Sequence, residues 1–311
     1  IIVMENFKMN RRKFMSALGL GTAHVLFSNP LFAAAPGRFP SSDPVQVVKL
    51  GKSGIETTLL GMGTGVHAGS RTSFLTKQDK QKGLALIQHA YDKGIRNFDC
   101  ADTYGTHGIV AEALAKKNRE SYTLTTKIWV RGGGIPEPER PDANIVVDRF
   151  RKELKTDYLD LVQIHCMEDP NWTVNQKKQM DILENLKAKG IIRAHGVSVH
   201  SLDAMKDAVK SPWVDVIHVR INPYGMAMDK PDPKEVVEVI QQLHKAGKGV
   251  IGMKLVGNGN LRDDSKKIDD SLKFVLGLGC VDMMIIGFEE NNQIDNYLGR
   301  VEKSITQINR G

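Results

Sequence analysis

Short apolar runs and longer amphipathic segments alternate along the chain from Val45 onward. The runs are rich in Val, Ile and Leu, which is typical of strands buried on both faces of a parallel sheet. The longer segments carry apolar residues at helical spacing, and glycines such as Gly94 and Gly190 suit their C-terminal ends. The predicted strands are Leu60–Thr64, Ile95–Ala101, Tyr122–Ile128, Tyr158–His165, Ala194–Val199, Val214–Ile221, Gly249–Val256 and Val281–Phe288. The predicted helices are Lys77–Lys93, Ile109–Lys117, Ala143–Leu154, Val174–Ala188, Leu202–Val209, Lys234–Lys245, Ile268–Leu278 and Ile294–Glu302.

Eight strands that are each followed by a helix predict an α/β fold, a (β/α)8 TIM barrel. Before the first barrel strand, Val45–Leu50 and Ile55–Leu59 flank a turn at residues 51–54 and predict an N-terminal β-hairpin. No Gly-x-Gly-x-x-Gly joins an early strand to a helix, which disfavours a Rossmann domain. We therefore expect a single barrel domain over residues 36–311.

The first 35 residues have the layout of a secretory signal. Arg11, Arg12 and Lys13 precede the apolar segment Ala17–Phe27, and small residues follow at positions 33–35. The Arg-Arg pair before Phe14 resembles a twin-arginine signal, which predicts export to the periplasm. An uncleaved segment would instead anchor the protein to a membrane, and a cytoplasmic location is the further alternative.

Composition narrows the possible partners. The 311 residues are 41% hydrophobic and 25% charged, an ordinary globular balance, and the net charge is +7. Residues 1–35 account for +3 of that charge, and the rest of the chain holds no dense Lys/Arg block, so we expect no nucleic-acid partner. Three scattered cysteines predict no disulfide framework. We expect a monomer.

Four polar side chains stand at or just after the ends of successive predicted strands: Asp99, Tyr104, Lys127 and His165. The C-terminal strand ends of a barrel meet on one face, where active sites are built. A buried Asp99–Lys127 pair beside Tyr104 would lower the phenol pKa and suit Tyr104 for proton transfer. Taken singly, each residue also has a purely structural interpretation: Asp99 could cap a turn, and His165 could be a histidine of the core.

The sequence resembles the aldo-keto reductase superfamily over most of Val45–Leu298. Its motif Asp-x-Ala-x-x-Tyr-Gly appears at residues 99–105, its lysine strand at residues 125–127, and its run ending in histidine at residues 157–165. The resemblance implies that Tyr104 is the general acid, that Lys127 and Asp99 tune it, and that His165 orients the substrate. It also implies reduction of an aldehyde or ketone by hydride transfer from a nicotinamide cofactor.

The resemblance also implies a set of cofactor-binding residues. Ser198 would hold the carboxamide, His218 stands near a position where a glutamine often contacts it, and Tyr224 would stack on the nicotinamide. Lys254 and Gly257 begin a glycine-containing loop whose backbone N–H groups could approach a pyrophosphate.

After the last strand, Glu289, Glu290 and Gln293 stand where many NADPH-dependent relatives have Lys or Arg. NADP(H) is the family default. Acidic side chains repel a 2′-phosphate, however, so NAD(H) is the alternative cofactor.

Trp129 and Trp172 follow the third and fourth barrel strands and are expected to line a pocket for a small carbonyl substrate with an apolar or ring component. No Cys-x-x-Cys or His-x-x-x-His spacing occurs, so no metal site is predicted. Two other functions stay open: a non-catalytic nicotinamide-binding redox sensor or partner subunit, and a phosphate-binding barrel lyase or isomerase.

Overall fold

A computed structural model describes residues 39–311, so the predicted signal at residues 1–35 lies outside the described range. Within that range the chain forms a two-stranded hairpin and a closed barrel of eight parallel strands, which confirms the predicted fold. The strands are β1 Val47–Lys49, β2 Glu56–Thr58, β3 Leu60–Gly63, β4 Asn97–Asp99, β5 Thr123–Ile128, β6 Leu159–Met167, β7 Ile192–Val199, β8 Val216–Arg220, β9 Gly249–Met253 and β10 Met283–Gly287.

Helices alternate with the barrel strands and cover the outside of the barrel. They are α1 Phe74–Lys77, α2 Lys80–Asp92, α3 His107–Ala113, α4 Ala143–Leu154, α5 Trp172–Asn175, α6 Lys177–Ala188, α7 Leu202–Lys210, α8 Pro233–Lys245, α9 Ser265–Gly277 and α10 Asn291–Asn309. Short 3-10 helices span Asp102–Tyr104, Arg119–Ser121, Glu137–Glu139 and Gly257–Gly259. Over residues 39–311, none of the helices combines the length and apolarity that crossing a membrane requires.

The hairpin of β1 and β2 closes the N-terminal end of the barrel. Its turn begins at Gly51, which has φ of 52° and lies so close to the next segment that a Cβ would be 2.4 Å from the Gly249 nitrogen. Leu50 and Ile55 flank the turn, and both side chains are about 1% exposed. They pack with inward-facing residues of the barrel floor: Leu161, Ala194, Val216, Ile251 and Met283.

Side chains inside the barrel change from apolar to polar toward the C-terminal end. In β8, Val216 packs in the barrel floor, and His218, two residues later on the same face, reaches Asp99. In β6, Leu161 lies in the floor and His165 near the rim. Asp99, His165 and His218 therefore lie beyond this apolar floor, toward the C-terminal face of the barrel.

Two helices differ most from their predicted bounds. The segment predicted as one helix over Val174–Ala188 is two helices, α5 and α6, which meet at Gln176. The last helix continues to Asn309 because Ile305 and Ile308 extend its apolar stripe against the barrel.

Candidate active site

A buried ion pair joins the ends of β4 and β5. Lys127 Nζ lies 2.6 and 2.7 Å from the two carboxylate oxygens of Asp99 and also donates to the Cys100 carbonyl oxygen at 2.9 Å. Both side chains are about 1% exposed. Burial alone would raise the pKa of Asp99, but Lys127 and His218 outweigh it and bring that pKa down to about 2. Asp99 is therefore an anion, and it forms an ion pair with Lys127.

Tyr104 reaches this pair from the 3-10 helix that follows β4. Its ring centre lies 5.2 Å from Lys127 Nζ. The loop is anchored from below by Asp102, whose carboxylate accepts from Arg71 Nε at 3.0 Å and from an Arg149 nitrogen at 2.6 Å. Gly65 packs against the other side of the ring, where a Cβ would lie 2.6 Å from ring carbons. These contacts fix the position of the phenol.

The pKa of Tyr104 moves in the direction opposite to the prediction. Burial raises it well above 10, and the charge of Asp99 raises it further. Lys127 donates its hydrogen bonds to Asp99 and to the Cys100 carbonyl oxygen, so it does not lower the pKa of Tyr104 in this state. Tyr104 is accordingly a neutral phenol that carries a proton, which is the state a general acid requires.

His165 completes the group from β6. Its ring meets Tyr104 edge to face at 5.6 Å between ring centres, and Trp129 at 5.3 Å. Burial, followed by the charge of Lys127, lowers the pKa of His165 well below 6.5, so the imidazole is neutral and offers one N–H. The structure thus brings the four predicted catalytic residues and Trp129 together.

A cavity of about 600 Å³ opens from Asp99 and Tyr104 and runs between the segment after β9 and the N-terminal part of α10. Its size falls in the usual range for small-molecule and cofactor sites. Two of the six predicted cofactor residues, Lys254 and Gln293, line it. Sequence reasoning missed other lining residues because nothing local marks them: Arg262, Asn296, Tyr297 and Arg300.

Three predicted cofactor residues do not line the cavity. Ser198 is about 1% exposed, and its Oγ accepts from the Cys166 backbone nitrogen at 2.8 Å. The Tyr224 hydroxyl donates to Asp270 Oδ2 at 3.1 Å. Gly257 is buried between the lining residues of its loop, where its φ of 57° supports the left-handed backbone.

His218 is the fourth predicted cofactor residue that does not line the cavity. It is 0% exposed and points into the barrel, with Nε2 3.1 Å from Asp99 Oδ1. The ring N–H is not aligned for a full hydrogen bond, so we treat the contact as a close electrostatic approach. A residue two positions after inward-facing Val216 lies beneath the rim, on the same face of the strand.

Trp172 was predicted to line the substrate pocket, and this prediction is wrong. The residue begins helix α5, is 0% exposed, and its Nε1 donates to the Ala204 carbonyl oxygen at 3.0 Å. Its ring packs on Trp213 at 6.2 Å. The helical turn directs the indole into the core, whereas an irregular loop could have left it at the barrel mouth.

A thiol–imidazole pair lies directly after His165. Cys166 Sγ is 2.9 Å from His200 Nδ1, and Glu168 is close enough for the three groups to share a metal ion. Glu168 is nevertheless paired with Arg131 at 2.7 Å, and burial together with nearby cations lowers the pKa of His200 to about 3. These positive charges oppose a further cation, so the absence of a metal site stays our prediction.

The arrangement can transfer one proton to a polarised oxygen beside it. Tyr104 holds the proton, His165 offers a second donor, and Lys127 supplies a positive charge for the phenolate that remains. The cavity that Asp99 and Tyr104 line can hold a polar ligand next to that oxygen.

Comparison with known proteins finds one family over most of the chain. The sequence pattern described as the Aldo/keto reductase family matches residues 59–304. An aldo-keto reductase of Bacillus subtilis is 28% identical over 189 residues, 58% of this chain and 54% of its own length. The NADH-specific methylglyoxal reductase of Escherichia coli is 25% identical over 202 residues, 58% of this chain and 60% of its own length. The chain thus spans about half to three-fifths of these relatives.

A solved structure gives the same fold. The holo form of an aldo-keto reductase from Bacillus halodurans superposes with a TM-score of 0.66 at 20% identity, covering 85% of this chain and 96% of the other.

Proposed function

This chain belongs to the aldo/keto reductase family, and from that premise we propose that it is a nicotinamide-dependent oxidoreductase that reduces an aldehyde or ketone to an alcohol, acting as a monomer. One observation carries the proposal: the buried Lys127–Asp99 pair, with Nζ 2.6 Å from Oδ1, lies beside a neutral Tyr104, and Asp99 and Tyr104 both line a cavity of about 600 Å³. A buried ion pair beside a protonated phenol is an arrangement suited to proton transfer.

The residues around the cavity fit a nicotinamide cofactor. The cavity joins the catalytic group to polar side chains more distant from it, including Lys254, Asn258 and Gln293. Left-handed residues at Lys254, Asn258 and Gly259 keep the segment after β9 close to the cavity wall. When bound there, the reduced cofactor supplies the hydride that adds to the carbonyl carbon.

The protein's own residues manage the proton. His165 donates an N–H to the carbonyl oxygen and so orients the substrate. Trp129 packs against His165 on the same side of the site. Tyr104 transfers its proton to that oxygen as negative charge develops there. Lys127, held by Asp99, stabilises the phenolate until water returns the proton. One hydride and one proton thus convert the carbonyl to the alcohol.

Replacing Tyr104 with Phe tests the proposal. We expect the reduction rate to fall by roughly 10²–10⁴-fold because the proton donor is lost, while cofactor titration by fluorescence is unchanged. The matched control is Tyr122→Phe, which removes a hydroxyl outside the cavity. Unchanged rates in Tyr104→Phe would remove Tyr104 from the mechanism. A wild-type protein that binds cofactor but reduces no carbonyl in a panel headed by methylglyoxal would favour the redox-sensor or partner-subunit function.

We propose further that the enzyme prefers NADH to NADPH. Glu289 and Gln293 line the cavity at the N-terminus of α10, and the Gln293 side chain accepts from the Glu289 backbone nitrogen at 2.7 Å. A carboxylate there repels a 2′-phosphate and can accept from a 2′-hydroxyl. The NADH-specific relative from Escherichia coli supports this preference.

The test of cofactor preference is a charge reversal. The double variant Glu289→Lys/Gln293→Arg should raise kcat/KM for NADPH relative to NADH by at least tenfold, about 1.4 kcal/mol. Glu302→Lys repeats the charge reversal of Glu289→Lys at an exposed position of α10 and should leave the ratio unchanged. A strong NADPH preference in the wild-type protein would overturn the proposal.

We also propose that residues 1–35 direct twin-arginine export to the periplasm. The support is the sequence alone: Arg11 and Arg12 before Phe14, and the apolar segment after them. Cell fractionation of the full chain and of an Arg11→Lys/Arg12→Lys variant tests it. Wild type in the periplasm and variant in the cytoplasm is the expected result, whereas a membrane-bound or cytoplasmic wild type would support the alternatives.

A further inference from the structure

His218 stands across the barrel from the residue it contacts. In the closed strand order, β8 and β4 are separated by three strands on either side and therefore face one another. The His218 side chain crosses the interior and places Nε2 3.1 Å from Asp99 Oδ1, the oxygen that also accepts from Lys127 at 2.6 Å. Asp99 Oδ1 is thus contacted by two nitrogens, one from the neighbouring strand β5 and one from β8 across the barrel.

Burying the imidazole at this position carries a free-energy penalty. It is 0% exposed, and within residues 39–311 neither ring nitrogen makes a fully aligned hydrogen bond. Buried polar groups are normally paired, and an exception in a native structure calls for an explanation. An apolar side chain would fill the barrel without that penalty. His218 instead lies 3.1 Å from the carboxylate that pairs with Lys127.

We infer that His218 is a positioning residue for the proposed carbonyl reduction, acting on Tyr104 through Asp99 and Lys127. The inference rests on the proposed function. Burial lowers the pKa of His218, so the imidazole is neutral, and its contribution is the polar contact of Nε2 with Asp99 Oδ1 at 3.1 Å. By sharing Oδ1, His218 weakens the hold of Asp99 on Lys127 and moderates the negative charge near the phenol. Lys127 is then freer to stabilise the phenolate of Tyr104.

Other charged groups face the same residues and must be considered in the test. Tyr104 is approached by Asp99 and Cys100 from the β4 end, by Lys127 from β5, and by His165 and Cys166 from β6. The His218 imidazole senses Asp99 and Lys127, and it in turn influences His165. A substitution at His218 leaves all of these side chains in place.

His218→Leu tests the inference. We expect the reduction rate to fall roughly tenfold. The basic limb of its pH profile should move to higher pH, because the phenolate loses support. His218→Gln keeps an N–H donor and should recover most of the rate. Asn97→Leu removes another buried polar side chain, one that bonds Thr123 and Thr125 and not the catalytic group. That control should change thermal stability without moving the basic limb.

A wild-type pH profile in His218→Leu, or a loss that His218→Gln does not recover, would overturn the inference. A measurement without turnover separates it from the proposed function. In 15N-histidine NMR, the His218 signals should report a neutral imidazole at pH 7 and should shift in Asp99→Asn. If the wild-type enzyme reduces no carbonyl, the proposed function fails on that result alone, and unshifted His218 signals would independently remove the contact.

Discussion

Gly65 supports Tyr104 through its lack of a side chain. A Cβ at this position would lie 2.6 to 2.8 Å from three ring atoms of Tyr104, so Gly65→Ala must displace the phenol. Because a shift of about 1 Å in a catalytic group can cost ~100-fold in rate, we expect a loss of ten- to a hundredfold in kcat with cofactor affinity retained. Gly69→Ala lies in the same loop with open space around its Cβ and is the matched control. Equal rates for the two variants would contradict the packing argument.

The partly buried His200 predicts how the stability of the protein depends on pH. Burial, then Arg220 and Lys254, lowers the pKa of His200 to about 3, below its unfolded value near 6.5. The unfolded chain binds the proton more readily, so the stabilisation is complete above pH 6.5 and is lost as pH falls toward 3. Each such histidine contributes at most ~1.4 kcal/mol per pH unit in that window. His200→Gln should therefore flatten the decline in the free energy of unfolding between pH 6.5 and 4, measured by urea denaturation, and an unchanged slope would contradict it.

At the scale of elements, the hairpin of β1 and β2 closes the N-terminal end of the barrel. Ile55 is 1% exposed and packs in the barrel floor, whereas Val47 in the same hairpin is 67% exposed. Ile55→Ala should lower the free energy of unfolding by about 2–5 kcal/mol through lost burial and a residual cavity. Val47→Ala should change it by less than about 0.5 kcal/mol. Chemical denaturation compares them, and similar losses would mean that the hairpin does not close the barrel.

The strands and helices also show how much of the fold and of the site could be predicted from the sequence. The strands, most helices and the residues at strand ends follow from local patterns, so the barrel and the meeting of Asp99, Lys127 and His165 could be predicted. Trp172 could not, because a short helix formed where a loop was expected and turned the indole inward. His218 was placed at the mouth by resemblance, whereas its face on β8 was fixed by inward-facing Val216, a register that only the closed barrel reveals.

At the scale of the whole molecule, fold, cavity and proposed export together predict how the cofactor is held. Twin-arginine export carries folded proteins, so a barrel with its 600 Å³ cavity already formed can be loaded before it leaves the cytoplasm. Free nicotinamide cofactor is scarce outside the cytoplasm, and an exported enzyme must retain what it carried. We expect protein purified from the periplasm to contain close to one equivalent of cofactor, with a dissociation constant below about 1 μM. Absorbance and mass spectrometry of the released cofactor measure the content, and the Arg11→Lys/Arg12→Lys form retained in the cytoplasm is the control. Exported protein that is empty and binds weakly, beside a loaded cytoplasmic form, would show that the cavity does not keep its cofactor through export.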